Sequence, residues 1–189
     1  MPDYDVIIVG AGPGGYVSAI RSAQRGAKTA VIEKKYLGGV CLNIGCIPTK
    51  TLINTAGLYR KLKKATEFGI SVENPQLDLN QLKLRKNKVI SLNTGGIERL
   101  FKSYNIDWIK GEAIINKPNE VNVEGKKLTT KNIIIATGGR PVELPILPFD
   151  KKLVIDSSQA LELTEIPKRI GIIGAGAIGC EFACIWNSF

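Results

Sequence analysis

Cys41 and Cys46 are the residues of this chain best suited to chemistry. Four residues separate them within Gly38-Gly39-Val40-Cys41-Leu42-Asn43-Ile44-Gly45-Cys46-Ile47-Pro48-Thr49-Lys50. Two thiols so placed can cycle between dithiol and disulfide, and the stretch follows a nucleotide-type strand–glycine loop–helix–strand unit by a few residues. A thiol-redox centre beside a bound cofactor is the chemistry such an arrangement supports. The two environments differ. Cys46 stands where a helix is expected to begin, so the helix dipole and unpaired N–H groups favour a thiolate there. Gly45 before it leaves space for a flat ring to stack on the backbone. Three plainer readings compete: inert buried cysteines, half of a zinc site, or a permanent structural disulfide. The zinc reading lacks two ligands, the usual CxxC spacing and any histidine. The structural disulfide is disfavoured in a chain without an export signal. Cys180 and Cys184, one helical turn apart, read as small apolar residues packing on their helix.

The elements that must position this centre can be traced along the chain. Val6-Ile7-Ile8-Val9 is an unbroken apolar run that predicts a strand buried on both faces. Gly10-Ala11-Gly12-Pro13-Gly14-Gly15 follows, then a helix over 14–25 and a second strand over 28–33. Gly10 permits a tight turn, Gly12 lets the backbone approach a diphosphate, and Gly15 lets the helix pack close to the strand. Glu33 ends the second strand, where a carboxylate can accept hydrogen bonds from a ribose diol. Helices are expected from Cys46–Pro48 to about Ala65 and over 79–103, and a strand over 106–109. Short alternating runs at 113–115, 120–123 and 127–129 predict an antiparallel meander. A buried strand returns at 133–136, followed by Thr137 and Gly138.

Pro141 to Pro148 carries three prolines and reads as a connector, giving expected domains at 1–148 and 149–189. Beyond it, a strand over 169–174 leads into Gly174-Ala175-Gly176-Ala177-Ile178-Gly179-Cys180-Glu181, a second copy of the glycine loop. The fold class implied is α/β: a Rossmann-like domain on a parallel sheet with an inserted antiparallel meander, then the start of a second Rossmann-like domain.

Composition bounds the alternatives. The chain has 189 residues, 44% hydrophobic and 23% charged, as in a soluble globular protein. No apolar run is long enough to span a membrane. The first strand begins so near Met1 that no signal peptide is expected, which points to the cytoplasm or to a processed mitochondrial protein. The net charge of +9 invites a nucleic-acid reading. The basic residues lie scattered or on helix faces with few aromatics between them, so a solvated surface is expected instead.

The cysteine stretch and the two glycine loops together resemble the pyridine nucleotide–disulfide oxidoreductases, over residues 5–189. Leu42-Asn43-Ile44 and Ile47-Pro48 resemble the branch that oxidises dihydrolipoamide more than the glutathione or mercuric reductases. The resemblance implies FAD on the first glycine loop and NAD on the second. It assigns Cys41 as the interchange thiol attacked by substrate, Cys46 as the thiol nearest the flavin, and Lys50 as a cation beside the reactive ring edge. Implied flavin contacts are Gly10, Gly12, Pro13, Gly14, Gly15, Glu33, Lys34, Gly39, Val40, Cys41, Cys46, Lys50, Ala113, Ala136, Thr137 and Gly138. Implied NAD contacts are Gly174, Gly176, Ile178, Gly179 and Glu181. Val40 and Gly139 depart from the family's common threonine and serine.

The same resemblance implies partners: dihydrolipoyl groups of 2-oxo acid dehydrogenase complexes or of the glycine cleavage system, and a second copy in a homodimer. In the family, a histidine held by a glutamate in a C-terminal domain deprotonates the incoming thiol. This chain has no histidine. It therefore reads as an N-terminal part that does not turn over alone. The alternative is a non-catalytic flavin-binding or thiol-redox module.

Overall fold

Parallel strands in the middle of a sheet lose water on both faces, so continuous β-branched runs fold there. In the computed structural model, which describes residues 1–189, β1 (Tyr4–Val9) is such a strand, with Ile7 and Ile8 fully buried. The helix α1 (Pro13–Gln24) and β2 (Thr29–Glu33) complete a βαβ unit with β1 and β2 parallel. Further along come β3 (Asp107–Lys110), β4 (Ala113–Lys117), β5 (Glu120–Val123) and β6 (Lys126–Ile135). The sheet order is β3-β2-β1-β6-β5-β4. Mixed α/β architecture with an antiparallel extension is thus what forms.

The chain divides into two compact units, Met1–Asn43 with Ser91–Arg140 and Ile44–Ile90 with Pro141–Phe189. All six strands belong to the first. Ile7, Ala30 and Ile32 of the parallel strands pack with Val121, Val123 and Leu128 of the meander. The second unit is helical. It holds α3 (Cys46–Lys63), the first half of α4 (Leu79–Ser103), the short α5 (Ser157–Ala160) and α6 (Ala177–Ser188). Leu52, Leu82, Leu161, Phe182, Ile185 and Trp186 form its core. Each such side chain contributes about 1.5–3 kcal/mol by leaving water. A lysine joins them: Lys86 is 1% exposed, donates to the Leu161 carbonyl at 3.0 Å and pairs with Glu162.

Three features differ from the sequence reading. The runs at 127–129 and 133–136 are one strand. The first part of β6 pairs antiparallel with β5 and the rest pairs parallel with β1, so the polar Thr130-Lys131-Asn132 is a change of partner and not a turn. A six-residue helix, α2 (Gly39–Ile44), carries Cys41 where no helix was expected. The apolar run 169–174 forms no strand. Strands need inter-strand hydrogen bonds, the second unit offers no strand to pair with, and Ile170, Ile172 and Ile173 stay 42%, 37% and 72% exposed.

Candidate active site

The first glycine loop is shaped by backbone contacts that exclude side chains. Gly10 leaves β1 at φ +101°, and a Cβ there would sit 2.3 Å from the Ala136 carbonyl oxygen. A Cβ on Gly15 would lie 1.8 Å from the Gly10 oxygen, so α1 approaches β1 more closely than any other residue allows. Gly12 is the N-cap of α1 and Pro13 its first residue, where a missing N–H costs nothing. Gly14 backs onto Ala136, whose methyl would be 3.8 Å from an added Cβ. The start of α1 therefore presents N–H groups and a positive dipole end over a surface bare of side chains, as a diphosphate requires.

Glu33 is built into this loop. Its Oε2 accepts from the Ala11 N–H at 2.8 Å and its Oε1 from the Lys35 N–H at 2.7 Å. A carboxylate has about four acceptor sites, so capacity remains for a ligand diol. The Glu33 carbonyl accepts from Gly111 N–H at 3.1 Å, which fixes the approach to Ala113 at the head of β4. Lys34 pairs with Glu112 at 2.6 Å on the surface. The hydrogen bond and charge of Lys34 hold the Glu112 carboxyl below its ordinary range.

The cysteine stretch meets the same loop through a second pair of glycines. Gly38 and Gly39 have φ of +88° and +62°, Gly38 N–H donates to the Ala11 carbonyl at 2.9 Å, and a Cβ on Gly39 would lie 2.6 Å from Gly12 Cα. The two loops touch backbone to backbone. Asn43 secures the contact, its Nδ2 donating to the carbonyls of Leu37 and Gly39 at 3.0 and 2.8 Å. Within α2, Val40 is half-exposed and Cys41 half-buried. Ala136 N–H donates to the Val9 carbonyl at 2.8 Å, and beyond Thr137 the space around Gly138 is open.

In the second unit Cys46 is the first residue of α3, exposed, behind the N-cap Gly45. Both the N–H and the hydroxyl of Thr49 donate to the Gly45 carbonyl, at 3.1 and 2.6 Å, pinning that first turn. Lys50, one turn on, pairs with Glu181 at 2.5 Å. The sequence reading gave these two residues to different nucleotides; the structure brings them together. The second glycine loop repeats the first. Gly174 has φ +106°, Gly176 caps α6, and a Cβ on Gly179 would lie 2.0 Å from the Gly174 oxygen. Nothing lies within 4 Å of a Cβ on Gly174, where Gly10 has the strand neighbour Ala136. Ile178 is 60% exposed. Cys180 and Cys184 are both exposed, not packed as the sequence suggested. The buried face of α6 is formed by Phe182, Ile185 and Trp186, and the cysteines fall on the opposite side.

Sequence reasoning missed Asn43, Thr49 and the Lys50–Glu181 pair as positioning elements. Asn43 and Thr49 each sit four residues after a glycine whose carbonyl they bond, a signal that was available. The ion pair spans 131 positions and left none.

A glycine cradle on a βαβ unit, touched by the glycines that precede Cys41 and followed by a second cysteine at the head of α3, is the arrangement of a flavoprotein of the disulfide-reductase kind. The family model for pyridine nucleotide-disulphide oxidoreductases matches residues 4–189, and the chain belongs to that family. Among individual proteins it is 45% identical to a dihydrolipoyl dehydrogenase of Mycoplasma pneumoniae, over 98% of this chain and 42% of that one. The Bacillus subtilis dihydrolipoyl dehydrogenase is 45% identical over 98% of this chain and 40% of its own length. Among solved structures, the HOCl-induced flavoprotein disulfide reductase RclA from Escherichia coli superposes with a TM-score of 0.82 at 32% identity, covering 98% of this chain and 40% of that one. The chain thus spans about two-fifths of the length of these relatives. No helix is long and apolar enough to cross a membrane.

Proposed function

We propose that this chain is the flavin-cradling, dithiol-bearing part of a dihydrolipoyl dehydrogenase. In the whole protein it would oxidise dihydrolipoamide to lipoamide with reduction of NAD⁺. The observation that carries this reading is the backbone contact between Gly12 and Gly39, which ties the cysteine segment to the nucleotide loop. The residues fit a flavin dinucleotide. Gly10, Gly12, Gly14 and Gly15 leave the space that a Cβ would fill, the start of α1 would hold the diphosphate, and Glu33 would receive the ribose. Lys34, Gly39, Val40, Ala113, Ala136, Thr137 and Gly138 complete the proposed contacts. Gly174, Gly176, Ile178, Gly179 and Glu181 would serve NAD by the same mechanics.

The protein's own chemistry is thiol–disulfide exchange. A substrate thiolate attacks Cys41 Sγ of an oxidised Cys41–Cys46 pair, the S–S bond breaks, and Cys46 leaves as a thiolate. The second substrate thiol then attacks the mixed disulfide, releasing the cyclic disulfide and leaving two electrons on the protein cysteines. FAD, when bound, supplies a two-electron relay from that dithiol to NAD⁺. Lys50, paired with Glu181, would supply the positive charge that favours thiolate and reduced-flavin states. The proposed partners are dihydrolipoyl groups of 2-oxo acid dehydrogenase complexes or of the glycine cleavage system, with a homodimer as the working form and the cytoplasm as its site.

Identity of 45% to curated dihydrolipoyl dehydrogenases supports the dihydrolipoyl substrate. With no histidine in the chain, no imidazole base is present, so steady turnover by this chain alone is not expected. The test is single-turnover. Reduced lipoamide added to flavin-loaded protein should bleach the flavin absorbance, and Cys41→Ser or Cys46→Ser should abolish the bleaching while leaving the flavin bound. Equal bleaching in the serine variants would refute the reading.

A further inference from the structure

Cys180 and Cys184 form a dithiol that the redox reading does not use. They lie four residues apart on α6, on the side opposite the buried Phe182, Ile185 and Trp186, and both are exposed. Cys180 Sγ makes one weak contact, with the Ala175 carbonyl at 3.4 Å. Residues i and i+4 of a helix share a face with Cβ atoms about 5–6 Å apart. A disulfide needs Cβ atoms about 3.5–4.5 Å apart. The helix therefore opposes closure of a bond between them and keeps the pair reduced. A bridging atom faces no such obstacle. A pyramidal trivalent centre sits between the two sulfurs, which side chains with Cβ atoms about 5–6 Å apart on one helix face can bring to it by rotating. No group of three or more His, Cys, Asp or Glu side chains is placed to hold a metal ion, so a ligand fitted here must be satisfied by two protein sulfurs.

We propose that Cys180 and Cys184 are a bidentate site for trivalent thiophilic metalloid centres, separate from the Cys41–Cys46 pair. With an organoarsenic(III) oxide, two As–S bonds form and the oxide oxygen leaves as water with the two thiol protons. No electrons are transferred. Chelation by two helix-held thiols raises affinity over single-thiol capture by at least about 100-fold through effective concentration.

The test uses phenylarsine oxide and the full chain. In Cys41→Ser/Cys46→Ser protein the only thiols left are Cys180 and Cys184. That protein should take up one phenylarsenic per chain by intact mass, resist excess 2-mercaptoethanol, and lose the adduct to 2,3-dimercaptopropanol. Adding Cys180→Ser or Cys184→Ser should weaken capture at least about 100-fold. Because the double serine variant could fold poorly, the wild-type protein is also mapped by peptide mass after labelling, and the bridged peptide should contain residues 180–184. Adducts confined to Cys41 and Cys46 in wild type, or equal affinity with one and with two α6 thiols, would overturn the proposal.

Discussion

Replacing Gly39 with alanine tests whether the contact between the two glycine loops builds the cofactor cradle. At φ +62° an alanine pays about 1 kcal/mol for the left-handed conformation. Its methyl would also lie 2.6 Å from Gly12 Cα and 3.2 Å from Gly12 N, both backbone atoms that cannot rotate away. Relief requires the loops to part by about 1 Å, comparable to overpacking a core, at about 1–3 kcal/mol. The sum is about 3 kcal/mol. If the cradle must close to hold flavin, that cost appears in binding as a loss of about 100-fold in affinity. The assay is FAD titration by flavin fluorescence, with urea unfolding in parallel. Gly57→Ala is the control. Gly57 lies inside α3 with nothing within 4 Å of an added Cβ, so that variant should gain about 0.8–1 kcal/mol and keep flavin affinity. Unchanged flavin affinity in a folded Gly39→Ala protein would refute the cradle argument.

Other perturbations follow from particular contacts. Glu33→Ala orphans the Ala11 and Lys35 N–H groups; with about 1.5–3 kcal/mol for a hydrogen bond to a charged group, the unfolding midpoint should fall and flavin should be lost. Lys86→Ala removes a buried cation from Glu162 and the Leu161 carbonyl; a loss of about 3 kcal/mol in urea unfolding is expected, and less for Lys86→Met, which keeps the volume. Burial pushes the Glu162 carboxyl up, but the hydrogen bonds and charges of Lys86 and Lys83 more than reverse this and leave it below its ordinary value of 4.5. A depressed folded-state carboxylate contributes stability above its unfolded pKa and loses it as pH falls through the folded value. Asp3, held low by hydrogen bonds from Thr129, and Asp5, held low by Lys131 and Lys28, act in the same direction. Unfolding midpoints should be flat from neutral pH to about 5 and drop below about 4.5. In Lys86→Met the Glu162 share of that drop should shrink.

How much was legible depended on whether the determinants were local. The βαβ unit was readable because Val6-Ile7-Ile8-Val9, the glycine spacing and Glu33 each act within a few residues. So was α3, whose first residue is Cys46 as expected. The α2 helix was not. Its glycines and Val40 disfavour helix, and it is held by contacts that Gly38 and Gly39 make with Ala11 and Gly12. The continuity of β6 was hidden because Thr130-Lys131-Asn132 is polar where the strand changes partner. The run 169–174 misled for the opposite reason: its apolar pattern is that of a strand, but a strand exists only with neighbours. At the site, residue identities were readable from type and spacing. The pairing of Lys50 with Glu181 was not, because only the packing of α3 on α6 creates it.

The proposed function requires a flavin that the cysteine pair can reduce. The most direct measurement is the visible spectrum of the chain loaded with FAD and freed of excess, before and after a dithiol is added. A retained flavin spectrum that the dithiol bleaches is expected. Protein that emerges without flavin, or whose bound flavin ignores the dithiol, would contradict it.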